Sequence, residues 1–337
     1  MLHRAVLVIA LLSTPLLAHA QRGFEVRDLA KLDRFSSPTL SADGRKLVFA
    51  KRVVDFDANK ASTSLWIEDL FARDAAPPKR LTPEGWNVNS PAFSPDGRTV
   101  YFLSAKNGSS QLYAIPAAGG VPKAVTAFAL DVDAYKLAPD GARAAFAFSV
   151  FPECKGDLAC TKKKTDETGK RKNTGVVYDR MFIRHWDTWA DGRLNRVFVG
   201  ALGGKTATTA ATLIGADVEG DIPSKPFGDL TDLAWSPDGA TLVMSVRKSD
   251  RTEPWSTNFD LYQVAADGSG SAKNLTASNP AWDAGPVFSA DGKTLYYRAM
   301  KLPGFEADRF ALMAMDLGTG RTREIAPKVP PRSLERV

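Results

Sequence analysis

The sequence is poor in the residues that most catalytic sites use. Its 337 residues include only three histidines and two cysteines. It has no Gly-x-Ser-x-Gly, the motif that presents a nucleophilic serine above a hydrolase sheet. It also has no Gly-x-x-x-x-Gly-Lys phosphate loop. His3 and His19 lie near the start of the chain, which leaves His185 for any Ser-His-Asp triad, so the chain alone is predicted to be catalytically inactive.

Long apolar runs are missing except at the N-terminus. Residues 1–20 combine Arg4, an apolar run ending at Leu12 and the small-x-small sequence Ala18-His19-Ala20, which together predict a signal peptide cleaved after Ala20. The run is too short for a membrane anchor, and Pro15 interrupts it. The mature chain is therefore predicted to be periplasmic or secreted, with no membrane contact after cleavage.

The positive charge is concentrated in one stretch. The net charge is +6, and six of the basic residues lie in TKKKTDETGKRK, residues 161–172. No aromatic residues are interleaved there for stacking on bases, so the stretch predicts a solvated loop and no nucleic-acid partner.

The two cysteines, Cys154 and Cys160, are close together in the chain. In an exported protein this spacing favours a disulfide, whereas two thiols without nearby histidines make a poor zinc site. DFDANK, residues 55–60, begins like a calcium loop but has Lys60 where glycine is required. No metal and no cofactor are expected.

The chain does have a repeat. Alternating apolar residues, Asp-Gly and a second apolar run occur five times, at residues 37–50, 90–104, 134–149, 232–246 and 285–299. Two strand-like runs around Asp-Gly predict a β-hairpin. After each hairpin comes a third strand pattern, and in four cases a short fourth one such as KRLT (79–82). Each unit is thus predicted to be a four-stranded sheet.

The spacing of the hairpins indicates how the units are arranged. The aspartates at 43, 96, 140, 238 and 291 are separated by 53, 44, 98 and 53 residues, and three of these gaps match the length of a propeller blade. The long gap contains one third-strand pattern, so we interpret it as a single blade with an insertion at about 151–194. A sixth blade is the alternative. The fold class predicted for residues 21–337 is therefore all-β, a β-propeller of five four-stranded blades, with a sandwich as the main rival.

Two tracts carry a resemblance to a known family. DLAKLDRFSSPTLSADGRKLVF (28–49) and the insert tract YDRMFIRHWDTWADGRLNRVFV (178–199) resemble the propeller of exported bacterial prolyl oligopeptidase-family (S9) serine peptidases, the dipeptidyl and acylaminoacyl peptidase branch. The resemblance covers residues 24–326. It implies seven or eight blades, a C-terminal α/β-hydrolase domain with a Ser-Asp-His triad, and short peptides as substrates that the propeller admits.

The chain departs from that family in having five repeats. Residues 329–337 show no strand alternation, which suggests a truncated reading frame or a fragment. Five blades set at the angle of a larger ring would leave that ring incomplete. The first and last blades would then expose apolar faces, and a homo-oligomer becomes possible.

The candidate site residues belong to the insert tract. They are Arg184, His185, Trp186, Asp187 and Trp189. One interpretation is that they pack and hydrogen-bond within an ordered loop, because buried aromatics usually pack. The alternative is that they contact substrate near the mouth of the propeller.

Two functions are compatible with these patterns. The first is the non-catalytic propeller part of an exported S9 peptidase, which gates the access of short peptides to a hydrolase domain that this chain lacks. The second is a stand-alone periplasmic propeller that binds a protein partner, like the propeller of the Tol system. The insert tract favours the first.

Overall fold

A computed structural model describes residues 22–72, 76–179, 181, 183–225, 228–248 and 251–326. The signal peptide predicted over residues 1–20 and the C-terminal stretch 329–337 lie outside the described residues.

Most of the regular structure in the described chain is antiparallel strand, arranged in five consecutive sheets and one small two-stranded hairpin. The first contains β1 (Arg34–Leu40), β2 (Lys46–Asp55), β3 (Lys60–Asp69) and β4 (Lys79–Arg80). The second contains β5 (Val88–Phe93), β6 (Thr99–Ser104), β7 (Gln111–Pro116) and β8 (Lys123–Ala124). The third contains β9 (Ala134–Leu137), β10 (Arg143–Val150), β13 (Leu194–Ala201) and β14 (Thr212–Leu213).

The last two sheets follow the same plan. The fourth contains β15 (Gly220–Asp221), β16 (Leu233–Trp235), β17 (Thr241–Lys248), β18 (Phe259–Ala265) and β19 (Lys273–Asn274). The fifth contains β20 (Asp283–Phe288), β21 (Thr294–Ala299), β22 (Ala311–Asp316) and β23 (Thr322–Glu324). In the fourth sheet β15 and β16 pair with successive parts of β17, so together they take the place of one strand. The predicted all-β fold of repeated four-stranded blades is confirmed.

The Asp-Gly hairpins are closed by a bond between side chains. In four of them the serine two residues before the aspartate donates its hydroxyl to that carboxylate, as Ser94 does to Asp96 at 2.6 Å. The same serine oxygen accepts the backbone N–H of the residue after the turn, Thr99, at 3.0 Å. The turn glycine has a φ of +67° at Gly97, in the left-handed region that favours glycine.

The third hairpin lacks this serine, because Ala138 occupies its position. Arg143 takes over by donating Nε and Nη2 to Asp140 at 2.9 and 2.8 Å. The same Nη2 also donates to the Gly239 carbonyl at 2.8 Å. This arginine therefore links the hairpin of the third blade to that of the fourth.

The apolar core lies between the blades. Four buried clusters are found among the described residues, and they join the first blade to the second, the second to the third, the third to the fourth and the fourth to the fifth. In the described part of the chain, no such cluster combines residues of the first and fifth blades. Each blade thus buries a face only where it has a neighbour in sequence, as expected for repeated units.

Three elements differ from what the sequence predicted. The stretch predicted as a solvated loop forms most of helix α2 (Leu158–Gly169), although its basic side chains do lie in solvent. A short helix α1 (Val26–Lys31) precedes the first blade and buries none of its residues. The fourth strand of the third blade, β14, was not predicted, because it lacks the basic residue with which the predicted fourth strands of the other blades begin.

Candidate functional site

The insert between β10 and β13 begins with a disulfide-closed turn. A short 3-10 helix, Pro152–Cys154, leads into α2, and the bond between Cys154 and Cys160 joins the two with their Cα atoms 5.7 Å apart. Asp157 caps α2 by accepting the Cys160 N–H at 3.0 Å. The fully buried Thr161 accepts the Phe151 N–H at 3.3 Å, which fastens the helix to the end of the blade.

All five candidate residues lie on or within a small hairpin in this insert. Its strands are β11 (Arg184–His185) and β12 (Thr188–Trp189), with Arg184 opposite Trp189 and His185 opposite Thr188. Trp186 occupies the turn with a φ of +49°, followed by the exposed Asp187.

The two tryptophans of the hairpin are largely exposed. The exposed fractions are 69% for Trp186 and 58% for Trp189. Both indole rings nevertheless have partners within the insert, and Trp186 packs edge-to-face on His185 with the ring centroids 5.7 Å apart. Trp189 stacks on Tyr178 with the ring centroids 6.2 Å apart, and the Arg184 guanidinium lies 5.7 Å from the centre of the Trp189 ring.

The hairpin forms one wall of a cavity of about 480 Å³, which we call the insert pocket. The opposite wall comes from the ends of strands in the third and fourth blades. The insert contributes residues that include Val176, Val177, Tyr178, Met181, Arg184, His185 and Trp189, and the blades contribute Ser149, Leu194, Asp221, Lys225 and Arg247. Of the candidates, Arg184, His185 and Trp189 line this pocket, whereas Trp186 and Asp187 do not.

Charged groups cover the blade side of the insert pocket. Asp221 is 7% exposed and accepts the Asn195 N–H at 2.8 Å, and burial raises the pKa of its carboxyl although Lys225 acts in the other direction. Lys225 donates its ammonium to the Arg193 carbonyl at 2.7 Å. Sequence reasoning missed these residues, because they lie far from the insert in the chain and carry no local motif.

His185 and Arg247 both line the insert pocket and interact electrostatically. Burial lowers the pKa of the His185 imidazole, and the positive charge of Arg247 lowers it further, against the opposing effect of Glu306. The imidazole is therefore mostly neutral at pH 7. Arg247 donates Nη2 to the Glu253 carbonyl at 3.0 Å and lies over the Phe259 ring at 5.9 Å.

A second cavity, of about 420 Å³, lies between the inner strands of the second to fifth blades. Prolines of the hairpins line it, including Pro95, Pro139 and Pro237. Lys136 also lines it and donates its ammonium to the carbonyls of Leu230 and Leu233. This central cavity lies toward the hairpin end of the blades. The insert pocket lies at the other end, because β10 runs from its hairpin to the insert.

Other site chemistry is sparse in the part of the chain that the structure describes. No group of three or more histidine, cysteine, aspartate or glutamate side chains could hold a metal ion there. No helix among these residues is long and apolar enough to cross a bilayer. In GSSQL, residues 108–112, Ser109 donates its hydroxyl to Asp131 at 2.6 Å, so its partner is a carboxylate and not the histidine of a triad.

Comparisons with known proteins point to peptidases. No family model matches the chain. The chain is 28% identical over 298 residues to dipeptidyl-peptidase 5 of Porphyromonas gingivalis, a match that covers 88% of this chain and 42% of that protein. It is 27% identical to dipeptidyl-peptidase 5 of Porphyromonas endodontalis, covering 85% of this chain and 40% of that protein. The chain thus spans less than half the length of these relatives.

Solved structures show the same fold. Acylaminoacyl peptidase of Pyrococcus horikoshii superposes with a TM-score of 0.62 at 15% identity, over 89% of this chain and 40% of that one. The β-propeller domain of the Trilobed protease from Pyrococcus furiosus gives a TM-score of 0.54 at 13% identity, over 89% and 74% of the two chains. The chain is a β-propeller similar to those of the dipeptidyl and acylaminoacyl peptidases of the prolyl oligopeptidase family, S9.

Proposed function

We propose that this propeller is the non-catalytic part of an exported S9-type serine peptidase and that it gates the access of short peptides to a hydrolase domain. The proposal is supported by the relatives named dipeptidyl-peptidase 5, and the match to the one from Porphyromonas gingivalis covers 42% of that protein. Dipeptidyl peptidase activity itself would belong to the complete enzyme.

The insert pocket is the observation that carries the proposal. Its volume of about 480 Å³ falls in the range of small-ligand sites, which are typically 300–1,000 Å³. Exposed aromatic and aliphatic side chains line one wall and charged groups line the other. Such a surface can hold an apolar peptide side chain against Trp189 while charged groups bind the peptide backbone or its ends.

Replacement of Trp189 tests this role directly. We expect Trp189→Ala to weaken the binding of labelled di- to tetrapeptides at least fivefold, measured by fluorescence polarisation on the purified chain, because the stacking surface of the pocket is lost. Trp255→Ala is the matched control, since Trp255 is also exposed, at 70%, and does not line the insert pocket. Equal affinities in both variants, or no peptide binding by the parent chain, would contradict the proposal.

The genomic context provides a second test. A reading of the DNA beyond codon 337 should find an α/β-hydrolase sequence with a Gly-x-Ser-x-Gly elbow, in the same or another frame. An unrelated neighbouring gene after a clean stop would instead favour a stand-alone scaffold that binds a protein partner.

A further inference from the structure

Two buried carboxylates lie between the fourth and fifth blades. They belong to no sequence motif and do not line the insert pocket. Asp260 at the start of β18 is 1% exposed, and Asp283 at the start of β20 is fully buried. They follow Phe259 and Trp282, which form a parallel bridge and stack with their ring centroids 4.5 Å apart. The two strands run parallel at this bridge, so the next residue on each strand, Asp260 and Asp283, lies beside the other. Both carboxylates therefore lie at the seam between the fourth and fifth blades.

Each carboxylate is incompletely satisfied. Asp260 accepts the Asn274 amide at 2.8 Å on Oδ2, while its Oδ1 has no hydrogen-bond partner among the described residues. Asp283 accepts the Asn279 amide at 3.0 Å on Oδ1, and its Oδ2 likewise has none. A buried ionised carboxylate with an unpaired oxygen is costly, and the usual remedy is that it binds a proton.

The charges around the seam determine which carboxyl holds that proton. Lys248 lies 3.5 Å from Asp260 Oδ2, so an ammonium offsets the charge of Asp260. Asp283 has no ion pair in the described part of the chain. Tyr297 on β21 also interacts with Asp283: burial, and then the charge of Asp283, raise the pKa of Tyr297 to about 12, so this phenol stays neutral below pH 9. Asp283 is therefore the proton-binding member of the pair.

The pKa of the Asp283 carboxyl agrees with its burial and its unpaired oxygen. Burial raises the pKa of Asp283 to about 7 from its ordinary value of 3.8. The Asn279 amide and the Thr276 hydroxyl lower it in part, and the negative charge of Asp260 raises it.

We propose that Asp283 and Asp260 form a pH-sensitive joint between the fourth and fifth blades, which is tight while Asp283 carries a proton and loosens when Asp283 is ionised. The contacts that the joint controls are those of its immediate neighbours. Ser245 of the fourth blade donates its hydroxyl to the Asp283 carbonyl at 2.6 Å, and Trp282 stacks on Phe259.

The direction of the pH effect follows from proton binding. When the seam opens, Asp283 meets water and its pKa returns toward 3.8, so between about pH 4 and pH 7 the open seam binds fewer protons than the closed one. Opening therefore becomes more favourable as pH rises through this range, and the effect levels off above pH 7. Aspartates with lowered pKa values, such as Asp96, act in the opposite direction, so the comparison must be made with a matched variant.

Hydrogen exchange on the full chain tests the joint. With rates corrected for intrinsic exchange, the amides of residues 281–300 should exchange faster at pH 7 than at pH 5, by up to about tenfold per pH unit. In Asp283→Asn, which cannot ionise, this dependence should disappear. Asp57→Asn replaces an exposed carboxylate in the first blade and should leave the dependence unchanged. The same pH dependence in the parent chain and in Asp283→Asn would overturn the proposal.

A second variant keeps the proposal testable if Asp283→Asn folds poorly. Asp260→Asn removes the negative charge that repels ionised Asp283, so the pKa of Asp283 should fall. The pH above which the exchange rate stops rising should therefore be lower. An unchanged profile contradicts the joint. Calcium or magnesium chloride should not change the pH dependence of exchange in the parent chain or in Asp260→Asn. If either cation abolishes this dependence in the parent chain alone, the seam is a metal site and the proton joint is wrong.

Discussion

At the scale of single residues, the repeated Ser-x-Asp-Gly motif explains why the sequence predicted the hairpins so well. The hydroxyl of the serine bonds to the aspartate, and the aspartate accepts the N–H two residues later, as in Asp96 and Arg98 at 3.0 Å. All of this information is local, so it can be read from a short stretch. In the third hairpin Arg143 bonds Asp140 in place of the missing serine, and its further bond to the Gly239 carbonyl, 96 residues away, could not be predicted from a short stretch.

Replacement of the hairpin serine should change the titration of its aspartate. The Ser94 hydroxyl, then the Arg98 N–H, hold the pKa of Asp96 below its ordinary value of 3.8. In Ser94→Ala we expect this pKa to rise toward 3.8, measured by carboxyl-carbon NMR. The stability that Asp96 contributes is present above its unfolded value and is lost as pH falls through its folded one, so the variant should lose less stability in acid.

The third hairpin provides the control for this measurement. The carboxyl of Asp140 accepts from Arg143 rather than from serine, so its pKa should be the same in Ser94→Ala as in the parent chain. An Asp96 pKa that stays low without the serine would show that the backbone N–H groups hold it there.

At the scale of elements, the strands were predictable and their polar anchors were not. Gln111 at the start of β7 is 7% exposed, accepts from the Phe128 N–H and donates to the carbonyls of Phe128 and Leu130. Asp260 holds the corresponding position in the fourth blade, before a leucine of the third strand. The same position thus holds a fully hydrogen-bonded amide in the second blade and a buried carboxylate with an unpaired oxygen in the fourth. Only the three-dimensional surroundings distinguish the two.

The insert shows the same division. Its exposed aromatic residues and its cysteine pair stood out in the sequence, whereas the blade residues that complete the pocket did not. Asp221 and Arg247 reach the pocket because strands β15 and β17 end at the same face of the propeller as β10. Their contribution follows from the packing of blades, which no stretch of the chain reports by itself.

Removal of the disulfide should loosen the insert more than the blades. The double variant Cys154→Ser/Cys160→Ser is expected to lose about 2 kcal/mol of unfolding free energy, because the short covalent loop no longer restricts the unfolded chain. Urea denaturation measures this loss, and mass spectrometry under non-reducing conditions checks the bond in exported protein. Two free thiols in the exported parent chain, or no change in stability, would count against this role.

At the scale of the whole molecule, the apolar clusters show which blades pack against each other. Among the residues that the structure describes, the second, third and fourth blades have a cluster on both sides, and the first and fifth have one on a single side. On the first blade Phe35 is 65% exposed beside Phe49, and on the fifth Val287 is 58% exposed. These side chains occupy positions that a neighbouring blade would cover in a closed ring.

The terminal blades should therefore be the least protected part of the isolated chain. We expect hydrogen exchange at pH 5, where the joint at Asp283 is tight, to be slowest in the third blade and faster in the first and fifth, because a unit with one neighbour loses fewer contacts when it opens. The exposed faces should also cause association that grows with protein concentration, measured by sedimentation velocity. A chain that remains monomeric at all concentrations and protects all five blades equally would show that the ring closes on itself, and a five-bladed scaffold would then be the better description.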